Sequence, residues 1–337
     1  MIGRILGRLK FLWRNTPLGK VRKSADAVTW GIIGTGYMSD TFARAIMESH
    51  NDMLLAVSSR SEAKAAAFAR SHGNAKPYGS IGSMLEDAAP DIIYIATPVE
   101  CHYEHIKQCL DAGHNVLCEK PLVISSAQAA ELFDLASRKG VLLLEGMWMH
   151  CLPTMQMADQ WIECGLIGEV EYIHAELNKR LNKEHVRKHH GVMTDYGIYG
   201  VAFLNHFLGN GAELLSSVCR RDPEGNITDV SLQMSAKSRK ASLVVASNFR
   251  NGSKAVVVGS KGSIEWNSPF NRTNAITLYD LAGNIVDSYS VHYLNEGFEF
   301  ELREVNQCLK SGHTQSRVIR NEDVVKCLGI IEDIENK

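Results

Sequence analysis

The chain predicts an α/β protein whose first half is a doubly wound parallel sheet and whose second half is a further α/β domain. Three observations carry this. At 337 residues it exceeds what one hydrophobic core usually organises. From Val28 to Leu144 short apolar runs alternate with helical stretches, the pattern of a parallel sheet with helices on both faces. Between the first run and the first helix stands the turn Gly34-Thr35-Gly36.

The elements follow in order. Val28 to Ile33 is an apolar strand, and Tyr37 to Glu48 has helical periodicity. Met53 to Val57 is a second strand, and Glu62 to Arg70 is an alanine-rich helix. Asp91 to Ala96 is strongly apolar and is followed by a helix from about Cys101 to Ala112. A strand over His114 to Cys118, a helix from about Ser125 to Lys139 and the strand Val141 to Leu144 complete the first half. Lys120, in Glu119-Lys120-Pro121, therefore leaves a buried strand at the carboxyl edge of a parallel sheet, where such folds bind ligands. In the second half, 168–177, 241–247 and 255–258 alternate as half-buried strands do.

The glycine turn points to a dinucleotide. Gly34 permits the tight turn, Gly36 lets backbone approach a pyrophosphate, and the following helix offers free N–H groups to the anion. Ser39 stands where a third glycine or alanine is usual. The second strand ends in Ser58-Ser59-Arg60-Ser61, with Lys64 one turn on, where an NAD site usually carries an acid. Hydroxyls and an arginine suit a 2′-phosphate, so NADP is expected ahead of NAD.

Composition narrows the rest. Apolar residues make up 45% and charged residues 22%, and the formal net charge of -2 gives no reason to expect nucleic acid as a partner. The eight cysteines contain no C-x-x-C pair, which suits reduced thiols in a cytoplasmic protein, and no metal is expected. Residues 1–25 hold Arg4, Arg8, Lys10, Arg14, Lys20, Arg22 and Lys23 and no acid, with Ile2, Ile5, Leu6, Leu9, Leu12 and Trp13 at helical spacing. Such a helix would be basic and amphipathic. It would make peripheral contact with an anionic membrane surface or, on the plainer reading, pack on the body or a neighbouring subunit.

Together these residues resemble the glucose–fructose oxidoreductase and inositol dehydrogenase (Gfo/Idh/MocA) family. The matches are Gly34-Thr35-Gly36, Ser59-Arg60, Ala96-Thr97-Pro98 with His102, Glu119-Lys120-Pro121, Glu145-Gly146-Met147-Trp148, Asp195-Tyr196-Gly197-Ile198-Tyr199, and the late turn Val258 to Ile264. Within the family, the chain looks like the dihydrodiol and NADP-linked sugar dehydrogenases.

The resemblance implies an N-terminal Rossmann domain (27–148) after an extension (1–26), and a substrate-binding and oligomerisation domain (149–337) on an open, mostly antiparallel sheet. It implies cofactor contacts from Gly34, Thr35, Gly36, Tyr37, Met38, Ser59, Arg60, Lys64, Thr97, Pro98, His102, Glu119, Lys120 and Trp148. Substrate contacts fall to Lys120, His150, Asp195 and Tyr199. The substrate is a small sugar or polyol, and the assembly a homodimer or homotetramer. Lys120 hydrogen-bonds the reacting oxygen, Tyr199 handles the proton, and Asp195 contacts substrate or orients Lys120. The ammonium and the phenol, from separate lobes, are expected to converge over the reducible ring of the dinucleotide.

An unperturbed phenol is a poor base at neutral pH, so a neighbouring cation is required. Tyr199 also reads as a core aromatic one turn after Asp195. His150 stands where the subgroup commonly has arginine, and Gly191-Val192-Met193-Thr194 replaces a glycine-rich approach.

The segment Lys179, Arg180, Lys183, His185, Arg187, Lys188, His189 and His190 reads equally as a solvated loop or an anion site. The i, i+4 histidines in it lack the third ligand a metal needs. Two other activities stand beside the redox reading: glycoside hydrolysis through a retained NAD, and a non-catalytic scaffold that binds the cofactor.

Overall fold

The computed structural model describes residue 21, residues 23–248 and residues 252–336. The basic helix expected over the N-terminal segment falls almost wholly outside the described residues. By backbone contacts the chain groups into two compact units. Unit 1 runs to Glu119 and adds Leu135–Leu143 and Val305–Thr314; unit 2 takes Lys120–Asp134, Leu144–Glu304 and the chain from Gln315. Lys120 thus groups with unit 2, at the point where its strand ends.

Unit 1 is organised by a six-stranded sheet in the order β3-β2-β1-β4-β5-β6. The strands are β1 (Val28–Ile33), β2 (Asp52–Ser58), β3 (Lys76–Tyr78), β4 (Ile92–Ile95), β5 (Asn115–Glu119) and β6 (Leu143–Gly146). β1 pairs in parallel with β2 and β4, β2 with β3, and β4 with β5. β4 is buried at every residue, as a central parallel strand should be. The order reverses between β1 and β4, and the carboxyl ends flanking that reversal are where open α/β sheets bind ligands.

The helices of this region are α1 (Tyr37–Glu48), α2 (Glu62–Ser71), α3 (Ile81–Asp87), α4 (His102–Asp111) and α5 (Ser126–Lys139). Phe42 of α1 stacks on Tyr94 at 3.9 Å and meets Trp30 edge-on at 5.2 Å. The buried Asp52 carboxylate accepts from Trp30 Nε1 (2.8 Å), Ser49 Oγ (2.5 Å) and Asn306 Nδ2 (3.0 Å), so its burial leaves no oxygen unsatisfied.

Unit 2 carries an eight-stranded sheet ordered β14-β13-β12-β11-β7-β10-β9-β8. Its strands are β7 (Val170–Asn178), β8 (Glu213–Arg221), β9 (Ile227–Ala236), β10 (Arg239–Ala246), β11 (Ala255–Gly259), β12 (Gly262–Trp266), β13 (Ala275–Asp280) and β14 (Ile285–Ser290). Only the β10–β7 pair is parallel; the other pairs are antiparallel. The helices are α6 (Pro153–Glu163), α7 (Lys183–Lys188), α8 (Ile198–Leu208), α9 (Phe298–Lys310) and α10 (Asn321–Glu335), the first part of α9 belonging here.

α8 is apolar nearly all round and almost wholly buried, which makes it the core helix of this unit. Gly200 lets it approach the sheet: a Cβ there would stand 2.4 Å from Leu243 Cδ1. Phe203 then meets Trp266 and Phe270, each at 5.0 Å. Among the described residues, no helix is long and apolar enough to cross a membrane.

Candidate active site

The strand ends of unit 1 assemble the first set of residues. Gly34 adopts φ 105°, and a Cβ there would come 2.7 Å from the Ala96 carbonyl oxygen, so only glycine lets β1 turn against the end of β4. Gly36 caps α1 with no side-chain hydrogen bond, and a Cβ on it would meet nothing within 4 Å. The first N–H groups of a twelve-residue helix thus have no side-chain cap, as an anion-binding turn requires. Two buried hydroxyls near this turn, Ser39 Oγ and Ser58 Oγ, have no hydrogen-bond partner. A glycine-framed turn with uncapped N–H groups fits a dinucleotide's phosphates.

Beside it, Ser59 Oγ accepts from Ser61 N at 3.5 Å, and Ser61 caps α2 by accepting from Lys64 N at 3.4 Å. Arg60 and Lys64 are exposed, and the residues that directly follow β2 are Ser59, Arg60 and Ser61, with the first acid, Glu62, opening α2. The Ala96-Thr97-Pro98 turn is held by two histidines. His102 Nε2 donates to the Thr97 carbonyl at 2.9 Å, and His105 Nδ1 lies 3.1 Å from Thr97 Oγ1. Burial first, then His102 and Arg60, push the His105 ring pKa below its ordinary value, so at neutral pH it is an uncharged bracket. His102 is itself 2% exposed and acts as a brace for the turn. Glu119 is likewise tied inward, accepting from Tyr94 OH at 2.5 Å. Tyr37 is exposed and Met38 half-buried at the start of α1.

The second set lies within unit 2. Lys120 Nζ donates to the Asp195 main-chain carbonyl and stands 3.8 Å from Asp195 Oδ1. The same ammonium lies 5.1 Å from the centre of the Tyr199 ring. Asp195 occupies a π-helical turn, Met193–Gly197, directly before α8, and Tyr199 is in the first turn of α8. The widened turn sets Asp195 and Tyr199 at the same helix entrance, a use of π-turns common at functional sites.

Trp148, stacked on Phe298 at 4.8 Å, donates from Nε1 to Tyr199 OH at 3.0 Å. The phenol therefore has a cation beside its ring and an indole N–H on its oxygen. These residues can pass a proton to or from a substrate oxygen while the ammonium stabilises the charge that develops there.

Asp195 has a second partner that the sequence reading did not assign. His185 Nε2 donates to Asp195 Oδ2 at 2.7 Å, and the His185 and His189 rings lie 4.4 Å apart. Burial alone would raise the Asp195 pKa; Lys120 and the His185 hydrogen bond outweigh it and leave the carboxyl below its ordinary range. The i, i+4 spacing of these histidines was visible, but their contact with a residue ten positions on was not. Among the described residues, no cluster of three or more His, Cys, Asp or Glu is arranged for a metal.

His150, expected to contact substrate, belongs to a different cluster. Its ring lies 5.4 Å from that of His206, which donates to Asp159 Oδ1 at 2.7 Å, and its Nδ1 is buried without a partner. Burial, with His206 and Arg320, pushes its ring down to about 3, so the ring is neutral throughout the physiological range.

Comparison with known proteins agrees with these features. A family model described as "Oxidoreductase family, NAD-binding Rossmann fold" matches residues 28–147, and one described as "GFO/IDH/MocA C-terminal domain" matches 155–265. Among curated relatives, the trans-1,2-dihydrobenzene-1,2-diol dehydrogenase of Xenopus tropicalis is 26% identical over 319 residues, covering 91% of this chain and 97% of its own. The human protein of that name is 26% identical over 325 residues, covering 91% and 96%.

Solved structures share the fold. A 3-ketoreductase from Actinomadura kijaniata in complex with NADP superimposes with a TM-score of 0.79 at 22% identity, covering 92% of this chain and 97% of its own. A putative NADPH-dependent oxidoreductase from Desulfitobacterium hafniense gives 0.81 at 21%, covering 92% and 95%. The matched regions span more than half of the sequence, and with the glycine turn and the two-sheet architecture they place this chain in the GFO/IDH/MocA family of oxidoreductases, with an NAD(P)-binding Rossmann domain.

Proposed function

We propose that this chain is an NADP-preferring dehydrogenase or reductase that moves a hydride to or from a CH–OH carbon of a sugar, cyclic polyol, dihydrodiol or nucleotide sugar. The observation that carries the reading is the Lys120–Tyr199 pair: an ammonium set over a phenol whose oxygen already accepts from Trp148. A nicotinamide held here would supply the hydride chemistry. In the oxidising direction, Tyr199 takes the hydroxyl proton and Lys120 donates to the oxygen becoming a carbonyl; in the reducing direction the same proton returns.

Gly34, Thr35 and Gly36 with the N–H groups of Tyr37 and Met38 would bind the phosphates. Ser59, Arg60 and Lys64 would receive a 2′-phosphate, and the Thr97-Pro98 turn would support the nucleotide. The absence of an acid at the end of β2 favours NADP over NAD. The substrate class follows the names of its relatives, a dihydrodiol dehydrogenase and a 3-ketoreductase. Our reading further places the enzyme in the cytoplasm as a homodimer or homotetramer.

The test is a panel of sugars, nucleotide sugars and dihydrodiols with both cofactors, followed at the nicotinamide absorbance band, with Lys120→Met alongside. Cofactor binding should persist in that variant while turnover falls by about 10²- to 10⁴-fold. Undiminished turnover would remove Lys120 from the chemistry. Product formed without any net absorbance change would favour hydrolysis through a retained cofactor.

A further inference from the structure

We propose that His185 is a positioning residue: by holding the Asp195 carboxylate it keeps the Lys120 ammonium available to the reacting oxygen. This deepens the redox reading above and rests on it.

The geometry around Asp195 is a competition for one carboxylate. Its Oδ1 faces Lys120 at 3.8 Å, near enough for attraction but too far for a hydrogen bond. Its Oδ2 is held by His185 at 2.7 Å. The Asp195 side chain is only 18% exposed, so water is a poor substitute for either partner. An ammonium has three N–H groups, and the Asp195 main-chain carbonyl takes one. Without His185, the carboxylate is free to rotate and close on Lys120 in a direct ion pair, occupying N–H groups that the substrate oxygen needs.

α7 is built to present this histidine. Asn182 Oδ1, at its N-cap, accepts from the main-chain N–H of His185 itself at 2.7 Å. Val186, the next residue, is 3% exposed and anchors the helix. At the other end, Thr194 Oγ1 donates to the His189 carbonyl at 2.5 Å, tying α7 to the residue just before Asp195. The His189 ring, 4.4 Å from that of His185, limits where the imidazole can turn. A side chain placed by its own backbone cap and a ring neighbour is held to a narrow range of positions, and displacing a catalytic group by about 1 Å can cost roughly 100-fold in rate.

Two variants and two readouts test this. His185→Phe keeps an aromatic ring but removes the donor; His185→Gln keeps an N–H able to reach Oδ2. In H185F, kcat should fall at least about tenfold with cofactor KM unchanged, and H185Q should recover most of that loss. H185F turning over like the wild type, or H185Q doing no better than H185F, would overturn the proposal.

The second readout needs no substrate: the Asp195 carboxyl carbon followed by NMR as pH is lowered. The groups facing it are Lys120, His185, His189 and Tyr196. Loss of the His185 hydrogen bond should move the Asp195 midpoint upward, and H185Q should move it back. An unchanged midpoint in H185F would refute the positioning role. A wild type inactive with every substrate would sink the redox reading instead, and the NMR result would still decide for or against His185.

Discussion

The Tyr199 oxygen accepts from the Trp148 N–H, and the Lys120 ammonium faces its ring. Removing the oxygen in Tyr199→Phe takes away the proposed proton acceptor and the acceptor of the Trp148 indole N–H. Turnover should drop about 10²- to 10⁴-fold, and chemical unfolding should show a loss of about 1–3 kcal/mol. A variant of full activity would return Tyr199 to the role of a core aromatic.

His150 makes a prediction of a different kind. Its folded ring pKa of about 3 lies below the unfolded value of about 6.5. A group depressed in this way contributes stability that is present above pH 6.5 and lost as pH falls towards 3. By pH 5 the loss amounts to about 2 kcal/mol. Urea titrations of His150→Asn should therefore have a flatter stability slope between pH 7 and 5 than the wild type; equal slopes would contradict the neutral, buried ring. Motif order singled out Lys120, Asp195 and Tyr199, and the structure makes them neighbours. His185 was not, since only the fold of α7 and the π-turn brings a residue ten positions upstream onto Asp195.

At the scale of elements, the apolar strands of the first half were legible because a strand buried on both faces reads as a continuous apolar run. β1 and α1 have the boundaries that periodicity gives them. β3 and α3 were missed, since Lys76-Pro77-Tyr78 is three residues long with a central proline and α3 spans only two turns. In the second half, β8 and β14 expose most of their residues, so neither alternation nor an apolar run marks them; pairing in the sheet makes them strands. The β11–β12 turn was visible through its glycines, and the structure gives the reason. A Cβ on Gly259 would stand 2.3 Å from the Ile167 carbonyl oxygen, and one on Gly262 would stand 2.2 Å from that of Tyr279. Both clashes are with backbone. Gly262→Ala should lower the melting temperature by several degrees, the effect of about 1–3 kcal/mol, and a variant melting with the wild type would show that the two strands can part without cost.

For the whole molecule, the division by contacts does not follow the chain: Lys120 leaves the nucleotide-binding sheet yet groups with the residues that hold Asp195 and Tyr199. Excess NADP at about 100 times its Kd should stabilise the protein by about 2.7 kcal/mol. Arg60→Ala should lose most of that gain with NADP while leaving the smaller effect of NAD unchanged, read by thermal shift. Equal losses with both cofactors would assign Arg60 to folding rather than to a 2′-phosphate. The central claim, direct hydride exchange assisted by Lys120 and Tyr199, is tested most directly with NADPH carrying deuterium at the transferred C4 position and a carbonyl substrate found in the panel. Deuterium should appear on the new carbinol carbon, at a rate that collapses in Lys120→Met. Product lacking the label, or labelled product formed equally well by that variant, would contradict it.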